Sequence, residues 1–377
     1  MKNTTAALFL LLTTQAWAGE PRSPKAAPAS PPAAATPARD EDPAISEQER
    51  TQAVAAILSE IEHKYVFPEL AARQLPELKK RWASPALAKH TRMRALLNAL
   101  NADLSELFND KHMIVMQRRE RTGSTEELTP ADYERFMNQR HYDVRRAEVL
   151  AGNVGYLRLT GFAPYESAGF RKAVGDAMNF VSSTDALIVD LRQNGGGDLP
   201  AVAYLVSYFV DGRIHILDAY DRVENKTEQS WTFEKVEGSR YGKERDVYVL
   251  TSSRTFSAAE EFAYDMQGLK RATLVGETTG GGANNNTFVK VSEHLDFSIP
   301  FGKVTSVFTG TNWEHVGVKP EVPVEAPKAL RTAHELAVKR LQERAPSAKD
   351  KERLALALEW IRAQPEEPAP VDPRSRL

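Results

Sequence analysis

Ser257 is the residue whose surroundings best suit a nucleophile. An apolar run at 247–251 predicts a buried strand, and residues 258–269 have the spacing of a helix that begins just after the serine. The Ser257 hydroxyl and the Ala258 amide are therefore expected at a helix N-terminus, where unpaired N–H groups favour developing negative charge. Ser257 and Glu260 also have the spacing of a capping box, so the serine could serve only as a helix cap.

A glycine-rich loop is the second candidate for chemistry. Residues 190–198 read DLRQNGGGD and follow an apolar run that predicts a buried strand. Three successive glycines permit positive φ and a close approach of an oxyanion to backbone amides, although a plain flexible turn has the same composition. Neither this loop nor 276–282 is a phosphate-binding loop, because no Gly-Lys-Ser/Thr step follows at the required spacing.

Two single residues complete the candidate set. His112 lies where a predicted helix gives way to a short predicted strand, close to Asp110, and a histidine there could act as a general base. Glu314 lies in the turn-like stretch 311–320 and could supply a carboxylate. Taken alone, each is as readily a satisfied structural residue. No pair of histidines has metal-ligand spacing.

The elements that must position these residues change in character along the chain. Ser46 and Glu49 form a capping box, and apolar residues then recur at helical spacing as far as 108, which predicts a small helical bundle. After Gly152, short strands and helices alternate, which predicts an α/β core with crossover connections. The strands are expected at 154–159, 186–191, 247–251 and 273–275, and the helices at 165–181, 199–209 and 258–269.

Composition removes several function classes. The 377 residues carry 49 Lys and Arg against 51 Asp and Glu, a net charge of -2 that gives no electrostatic basis for a nucleic-acid partner. The absence of cysteine excludes disulfides, thiolate nucleophiles and zinc–cysteine sites. A length of this order is enough for one large domain or two modest ones, each with a substantial core.

The N-terminal residues have the features of a targeting segment. Lys2, the apolar run 6–12 and the Ala-Trp-Ala sequence at 16–18 predict a signal peptide over 1–18, and the Pro- and Ala-rich stretch 19–45 predicts a linker. The apolar run is too short to span a bilayer, so we expect no transmembrane anchor. These features predict a periplasmic or secreted protein.

Taken together, the motifs resemble peptidase family S41, the C-terminal processing and tricorn-like serine proteases. The closest resemblance is to the branch similar to interphotoreceptor retinoid-binding protein, and it extends from about Ile57 to Val324. The segments that carry it are YVFP at 65–68, DKH at 110–112, GYLRL at 155–159, DLRQNGGG at 190–197, SAAE at 257–260, VGETTGG at 275–281 and GVKP at 317–320.

This resemblance implies an α/β fold with a crotonase/ClpP-like ββα superhelix core and an N-terminal helical bundle domain. It also implies hydrolysis of peptide bonds in a peptide or protein substrate, without metal or cofactor. The expected organisation is a signal peptide at 1–18, a linker at 19–45, a helical domain at 46–118, a connecting segment at 119–150, an S41-like catalytic core at 151–326 and a helical tail at 327–377.

The resemblance also assigns roles to single residues. Ser257 corresponds to the nucleophile, with the Ala258 amide as one oxyanion donor. The second donor is an amide of the glycine loop, for which Gly196 aligns best and Gly195 is its neighbour. His112 corresponds to the general base of the tricorn-like branch and Glu314 to the acid that supports it.

Departures from the family pattern identify the branch. The processing proteases use a lysine 25 residues after the serine, and here that position is Gly282. Only 41 residues separate His112 from Val154, too few for the PDZ domain of those proteases. Lys111 stands where a small residue usually precedes the histidine, and Glu321 replaces an aspartate.

Two other functions are compatible with the same residues. In the interphotoreceptor branch the scaffold binds a retinoid or fatty acid, so the chain could be a non-catalytic carrier of an apolar ligand. The Pro- and Ala-rich linker and charged C-terminal helices also fit a structural or interaction module of the cell envelope. The sequence does not indicate the cleaved sequence or the oligomeric state.

Overall fold

The computed structural model describes residues 42–118 and 129–365. The predicted signal peptide and most of the predicted linker lie outside the described residues, as do 119–128 of the connecting segment and 366–377 of the tail. Within the described residues, no helix is both long and apolar enough to cross a membrane.

Helices and strands alternate along most of the described chain. The helices are α1 (Glu47–Lys64), α2 (Pro68–Trp82), α3 (Pro85–Ala88), α4 (Met93–Phe108), α5 (Pro130–Gln139), α6 (Ala168–Val181), α7 (Leu199–Val206), α8 (Ala258–Gly268), α9 (Ala326–Glu343) and α10 (Ala348–Ala363). The strands are β1 (Ile114–Gln117), β2 (Val144–Leu150), β3 (Val154–Leu159), β4 (Ala186–Asp190), β5 (His215–Asp221), β6 (Lys226–Trp231), β7 (Asp246–Thr251), β8 (Thr273–Gly276), β9 (Asn284–Lys290), β10 (Leu295–Ser306) and β11 (Val322–Pro323).

A six-stranded sheet forms the centre of the fold. Its strand order is β11-β8-β7-β4-β3-β2, in which only β2 runs antiparallel to its neighbour. Both faces are covered: Leu187 and Val189 of β4 pack with α6, α7 and α8, whereas Ala186 and Ile188 pack with α9 and α10. Because parallel strands buried on both faces need helical crossovers, this sheet confirms the predicted α/β class.

A second sheet is antiparallel and joins the N-terminal helices to the core. Its order is β1-β10-β5-β6, and β9 also pairs with β10. Ile57 of α1 and Leu96 of α4 share one buried cluster with Phe297 and Ile299 of β10. The helices over 47–108 therefore pack their apolar faces on this sheet as well as on one another.

Element boundaries differ from the sequence prediction where side chains bind the backbone. The helix expected from residue 165 begins at Ala168, because the Asp198 carboxylate accepts the Tyr165 amide at 2.9 Å and Ser167 caps the helix. The strand expected from His112 begins at Ile114, because the His112 amide donates to Asp110 at 3.0 Å. Sequence patterning gave no indication of α3, β2 or the β5–β6 hairpin.

A buried ion pair fixes the end of β4, where the glycine loop begins. Asp190 and Arg192 are each 2% exposed, with Nη2 of Arg192 donating to Oδ2 of Asp190 at 2.7 Å. Tyr156 donates to the same carboxylate at 2.6 Å, and Arg192 donates to the Ala326 carbonyl at the start of α9. Burial opposes ionisation of Asp190, but the hydrogen bonds from Arg192 outweigh it and lower the pKa of the carboxyl.

Removing the charge of Asp190 should therefore destabilise the fold. Asp190→Asn leaves the Arg192 guanidinium buried without its counter-charge, and we expect a loss of about 3 kcal/mol in the free energy of unfolding, measured by urea denaturation at pH 7. Asp176→Asn, which breaks an exposed pair with Lys172 on α6, is the matched control and should have a much smaller effect. Equal effects of the two substitutions would contradict this role of the buried pair.

Candidate active site

Ser257 occupies a strained turn between a buried strand and a helix. β7 ends at Thr251, and after five residues Ser257 becomes the N-cap of α8 with φ 58° and ψ -126°. Positive φ is uncommon in residues other than glycine, and such strain collects at functional sites. The Phe256 amide donates to the Asn194 carbonyl at 3.1 Å, which holds the turn against the glycine loop.

The capping box predicted for Ser257 is built mainly from backbone atoms and the Glu260 side chain. The Glu260 carboxylate accepts the Ser257 amide at 2.9 Å, and the Glu260 amide donates to the Ser257 carbonyl at 2.8 Å. The Ser257 side chain completes the box as an acceptor for the Glu260 backbone, an interaction that uses a lone pair of the hydroxyl oxygen and not its proton. Capping therefore leaves the hydroxyl proton available, and Ala258, the first residue of α8, has an amide without an acceptor inside the helix.

The glycine loop lies directly against Ser257. A Cβ added to Gly196, whose φ is 106°, would be 2.7 Å from the Ser257 Cβ and 3.2 Å from the Ala258 nitrogen. The Gly196 amide donates to Oδ1 of Asn194 at 2.9 Å, so this candidate oxyanion donor is already hydrogen-bonded. Gly195 is exposed, and its amide has no hydrogen-bond partner among the residues that the structure describes.

His112 is buried beside the turn that carries Ser257. Its ring stacks on Phe256 with centroids 4.6 Å apart, and a Cβ at Gly282 would be 2.9 Å from its Cε1. Both ring nitrogens are buried without a hydrogen-bond partner in the described part of the chain. Burial lowers the pKa of His112 to about 4, so the ring is neutral at physiological pH and able to accept a proton.

Glu314 approaches the same region from the opposite side. Its Oε2 accepts the amides of Ala283 at 2.5 Å and Asn284 at 3.2 Å, next to the glycine that touches His112. Its Oε1 is buried without a hydrogen bond among residues 42–118 and 129–365, and His315 lies 3.6 Å away. Burial, with the nearby charge of Asp110, raises the pKa of Glu314 to about 7.

A second buried acid adjoins Glu314. Asp110 accepts hydrogen bonds from the Asn284 side chain at 2.8 Å and from the Tyr65 hydroxyl at 3.4 Å, and burial raises its pKa. Sequence analysis noted Asp110 only as an acid near His112 and missed the part played by Tyr65 and Asn284. The YVFP motif was the available signal for Tyr65, but its contact with Asp110 joins residues 45 positions apart.

The loop at 279–282 is tied to Ser257 by Glu260, whose side chain is fully buried. Besides the Ser257 amide, the carboxylate accepts the amides of Gly281 at 2.6 Å and Gly282 at 2.9 Å and the Thr279 hydroxyl at 2.5 Å. Burial is the larger influence and raises the pKa of Glu260. One carboxylate thus sets the position of the serine relative to the loop that contacts His112.

The structure accommodates both departures from the family pattern near His112, which are Gly282 in place of a lysine and Lys111 in place of a small residue. A Cβ at Gly282 would be 2.3 Å from the Phe256 ring, so a lysine side chain does not fit at this position without movement. The Lys111 amine donates to the Gly280 carbonyl. The depressed pKa of His112 has burial as its cause, with no contribution from Lys111.

A buried strand that leads through a strained serine into a helix, beside a glycine-rich loop, is an arrangement typical of serine hydrolases with α/β folds. The structure brings Ser257, Ala258, Gly195 and Gly196 together, and it places His112 on the neighbouring Phe256.

Comparisons with known proteins match part of the described chain. Residues 153–324 match the model of peptidase family S41. The carboxy-terminal-processing protease of Bartonella bacilliformis is 26% identical over 47% of this chain and 40% of its own length, and the carboxyl-terminal-processing protease of Synechocystis is 28% identical over 46% and 39%. This segment is therefore similar to peptidase family S41, and the matched part spans about two fifths of the length of these curated relatives.

A solved structure supports the fold over a larger part of the chain. The structure of a lipoprotein from Streptococcus agalactiae has a TM-score of 0.51, is 14% identical, and covers 78% of this chain and 98% of its own. At this level of identity the likeness concerns the fold alone.

The raised pKa of Glu314 predicts a pH-dependent gain in stability when its charge is removed. The folded-state value of about 7 exceeds the ordinary 4.5, so the protein loses stability as pH rises from 4.5 to 7 and Glu314 ionises. Glu314→Gln should raise the free energy of unfolding by up to about 3 kcal/mol at pH 8 and by almost nothing at pH 4.

Urea denaturation at both pH values measures this difference. Glu293→Gln, at an exposed position in the turn between β9 and β10, is the matched control and should show no pH-dependent gain. A Glu314→Gln variant that is less stable than the wild-type protein at pH 8 would contradict the buried, strained charge inferred here.

Proposed function

We propose that the protein is a serine peptidase that hydrolyses peptide bonds through an acyl-enzyme on Ser257. The observation that carries this proposal is the strained backbone of Ser257, whose side chain keeps its hydroxyl proton within the helix cap and whose Cβ lies close to Gly196. A serine used only as a cap has no need of positive φ, because ordinary N-cap residues have extended backbone.

In the first half of the reaction, the Ser257 oxygen attacks the substrate carbonyl carbon while His112 accepts the hydroxyl proton. The oxyanion receives hydrogen bonds from the Ala258 amide and from an amide of the glycine loop. Collapse of this intermediate breaks the carbon–nitrogen bond, and protonated His112 donates its proton to the departing amine. The product of this half is an ester between the substrate acyl group and Ser257.

In the second half, water attacks the acyl-enzyme and His112 accepts a proton from it. Collapse returns that proton to the Ser257 oxygen and releases a carboxylic acid. Ionised Glu314 would stabilise the protonated imidazole, because a buried cation needs a counter-charge. Within the described residues, the Oε1 of Glu314 and both ring nitrogens of His112 make no hydrogen bond, which supports this relay because buried polar atoms are normally hydrogen-bonded.

Gly195 is the stronger candidate for the second oxyanion amide, with Gly196 the other. The bond from the Gly196 amide to Asn194 must lengthen or become shared before that amide can serve an oxyanion. The exposed Gly195 amide has no such competitor within the described residues. Losing one oxyanion donor typically costs about 100- to 1,000-fold in turnover.

The proposed substrate is a peptide or protein and the proposed location is the periplasm or the cell exterior. Two of the relatives are named as carboxy-terminal-processing proteases, which act on peptide bonds. The location rests on the predicted signal peptide at 1–18. A non-catalytic carrier of an apolar ligand is not favoured. Such a carrier has no need of a serine that has a strained backbone and a hydroxyl able to donate its proton.

Replacing Ser257 tests the proposal directly. Ser257→Ala should lower hydrolysis of unstructured protein substrates such as casein by at least about 1,000-fold while leaving the fold intact, because it removes the atom that forms the acyl-enzyme. Cleavage is followed by mass spectrometry of the released peptides.

Ser105→Ala is the matched control, because Ser105 is an exposed helical serine on α4. It should leave the rate unchanged. Cleavage that persists in the Ser257→Ala variant, or that is absent from well-folded wild-type protein across a broad set of substrates, would refute the proposed peptidase.

A further inference from the structure

A large cavity is lined by residues that follow two segments of the candidate active site closely in sequence. It has a volume of about 820 Å³ and lies between α7 and the β5–β6 hairpin. Leu199 and Ala203 of α7 form part of one wall, and Leu217 and Trp231 of the hairpin form part of the other. A cavity of this size is comparable to those that bind small molecules or several side chains of a peptide.

Two residues that line the cavity closely follow segments of the candidate active site in sequence. Leu199 follows Gly196 by three residues, so their Cα atoms lie within about 11 Å of one another. On the other side, Asn285 lines the cavity and directly follows the pair of amides that hold the Glu314 carboxylate. The cavity wall at Leu199 is therefore no farther from the glycine loop than about three residues of an extended peptide can span.

The lining combines an apolar floor with excess negative charge. Leu217 is fully buried, and Phe233 packs on aromatic neighbours from the core. Asp221, Glu224 and Glu234 line the cavity and form no ion pair among the residues that the structure describes.

One of the two cationic lining residues is paired with an acid. The Lys226 amine pairs with Glu228, whereas the Arg213 guanidinium lies over the Trp231 ring at 5.2 Å from its centroid and keeps its charge. Within the described residues, three carboxylates without an ion pair therefore stand against one guanidinium beside apolar surface.

We propose that this cavity binds the substrate peptide beside the scissile bond and selects segments with a lysine or arginine side chain. This inference rests on the proposed peptidase function. The aliphatic stem of a lysine or arginine covers apolar surface while its charged end stays near the rim carboxylates, which matches the lining. A fatty acid suits the cavity less well, because its carboxylate would meet like charges.

Quenched fluorescent peptides that differ at one residue test the preference. Each pair carries lysine or glutamate at one position on either side of the cleaved bond. We expect kcat/KM at the responsive position to be at least about tenfold higher for lysine, and the ratio to shrink as salt rises from 0.05 to 0.5 M. The triple variant Asp221→Asn, Glu224→Gln, Glu234→Gln should reduce the ratio to about threefold or less.

A matched variant controls for the change in total charge. Glu293→Gln, Glu352→Gln and Glu359→Gln together remove three exposed carboxylates that do not line the cavity. This variant should keep the wild-type ratio. An equal loss in both triple variants, or no preference in the wild-type protein, would overturn the inference.

Two further readouts separate this inference from the proposed function. Hydrolysis of p-nitrophenyl acetate, which is too small to need the cavity, should be the same in the wild-type protein and in the Glu293→Gln, Glu352→Gln, Glu359→Gln variant. Normal ester hydrolysis without lysine preference overturns only the inference.

Binding is measured separately with the Ser257→Ala variant, by the tryptophan fluorescence change on adding the lysine and glutamate peptides. Preferential binding of the lysine peptide, in a protein whose wild type hydrolyses neither ester nor peptide, would support the cavity assignment and refute the peptidase. Tighter binding of a fluorescent fatty acid than of the lysine peptide would overturn the inference.

Discussion

The carboxylate of Glu260 holds the two halves of the candidate site together. It accepts the amide of the strained Ser257 on one side and the amides of Gly281 and Gly282 on the other. Burial alone favours the protonated form of this group, and its hydrogen bonds offset part of that cost. Without this acceptor, the Ser257 backbone would lose a hydrogen bond that stabilises its positive φ. The loop beside His112 would also lose the hydrogen bonds from Gly281 and Gly282 that hold it in place.

The sheets determine where the loops converge. Parallel β4 and β7 end side by side, so the glycine loop after β4 and the serine turn after β7 meet at one edge of the sheet. The Asp190–Arg192 pair fixes the first of these ends to the start of α9. The second sheet positions His112 in the candidate site. β1 begins two residues after His112 and pairs with β10 of that sheet.

The sequence predicted the parts of this structure that follow from local patterns. The strand at 154–159 was predicted with its exact bounds because apolar residues fill it and both faces are buried. The cap at Ser46 also has its predicted partner, the Glu49 amide. The β5–β6 hairpin was not predicted, because β6 carries charged residues at exposed positions and β5 is stabilised by pairing with β10, far along the chain.

The candidate site was predictable as a set of residues but not as a set of contacts. The motif order brought Ser257, His112 and Glu314 into one hypothesis, whose catalytic roles stay predictions. Spacing could not show that the Gly196 amide is taken by Asn194, because that bond depends on the local conformation of the loop. Nor could it show that burial lowers the pKa of His112, because the residues that bury the ring include Phe256, which is distant in sequence. The positive φ of Ser257 is likewise invisible in a serine that also fits a capping box.

The central claim is that Ser257 is activated by neutral His112 with the support of ionised Glu314. The most direct measurement is the rate of labelling by a fluorophosphonate probe from pH 4 to 9, with the modified residue identified by mass spectrometry. The account predicts an adduct on Ser257, a rate that rises with an apparent pKa near 7 as Glu314 ionises, and at least about a 100-fold loss in His112→Ala. Absence of labelling in the folded protein, an adduct elsewhere, or a rate indifferent to His112→Ala would contradict it.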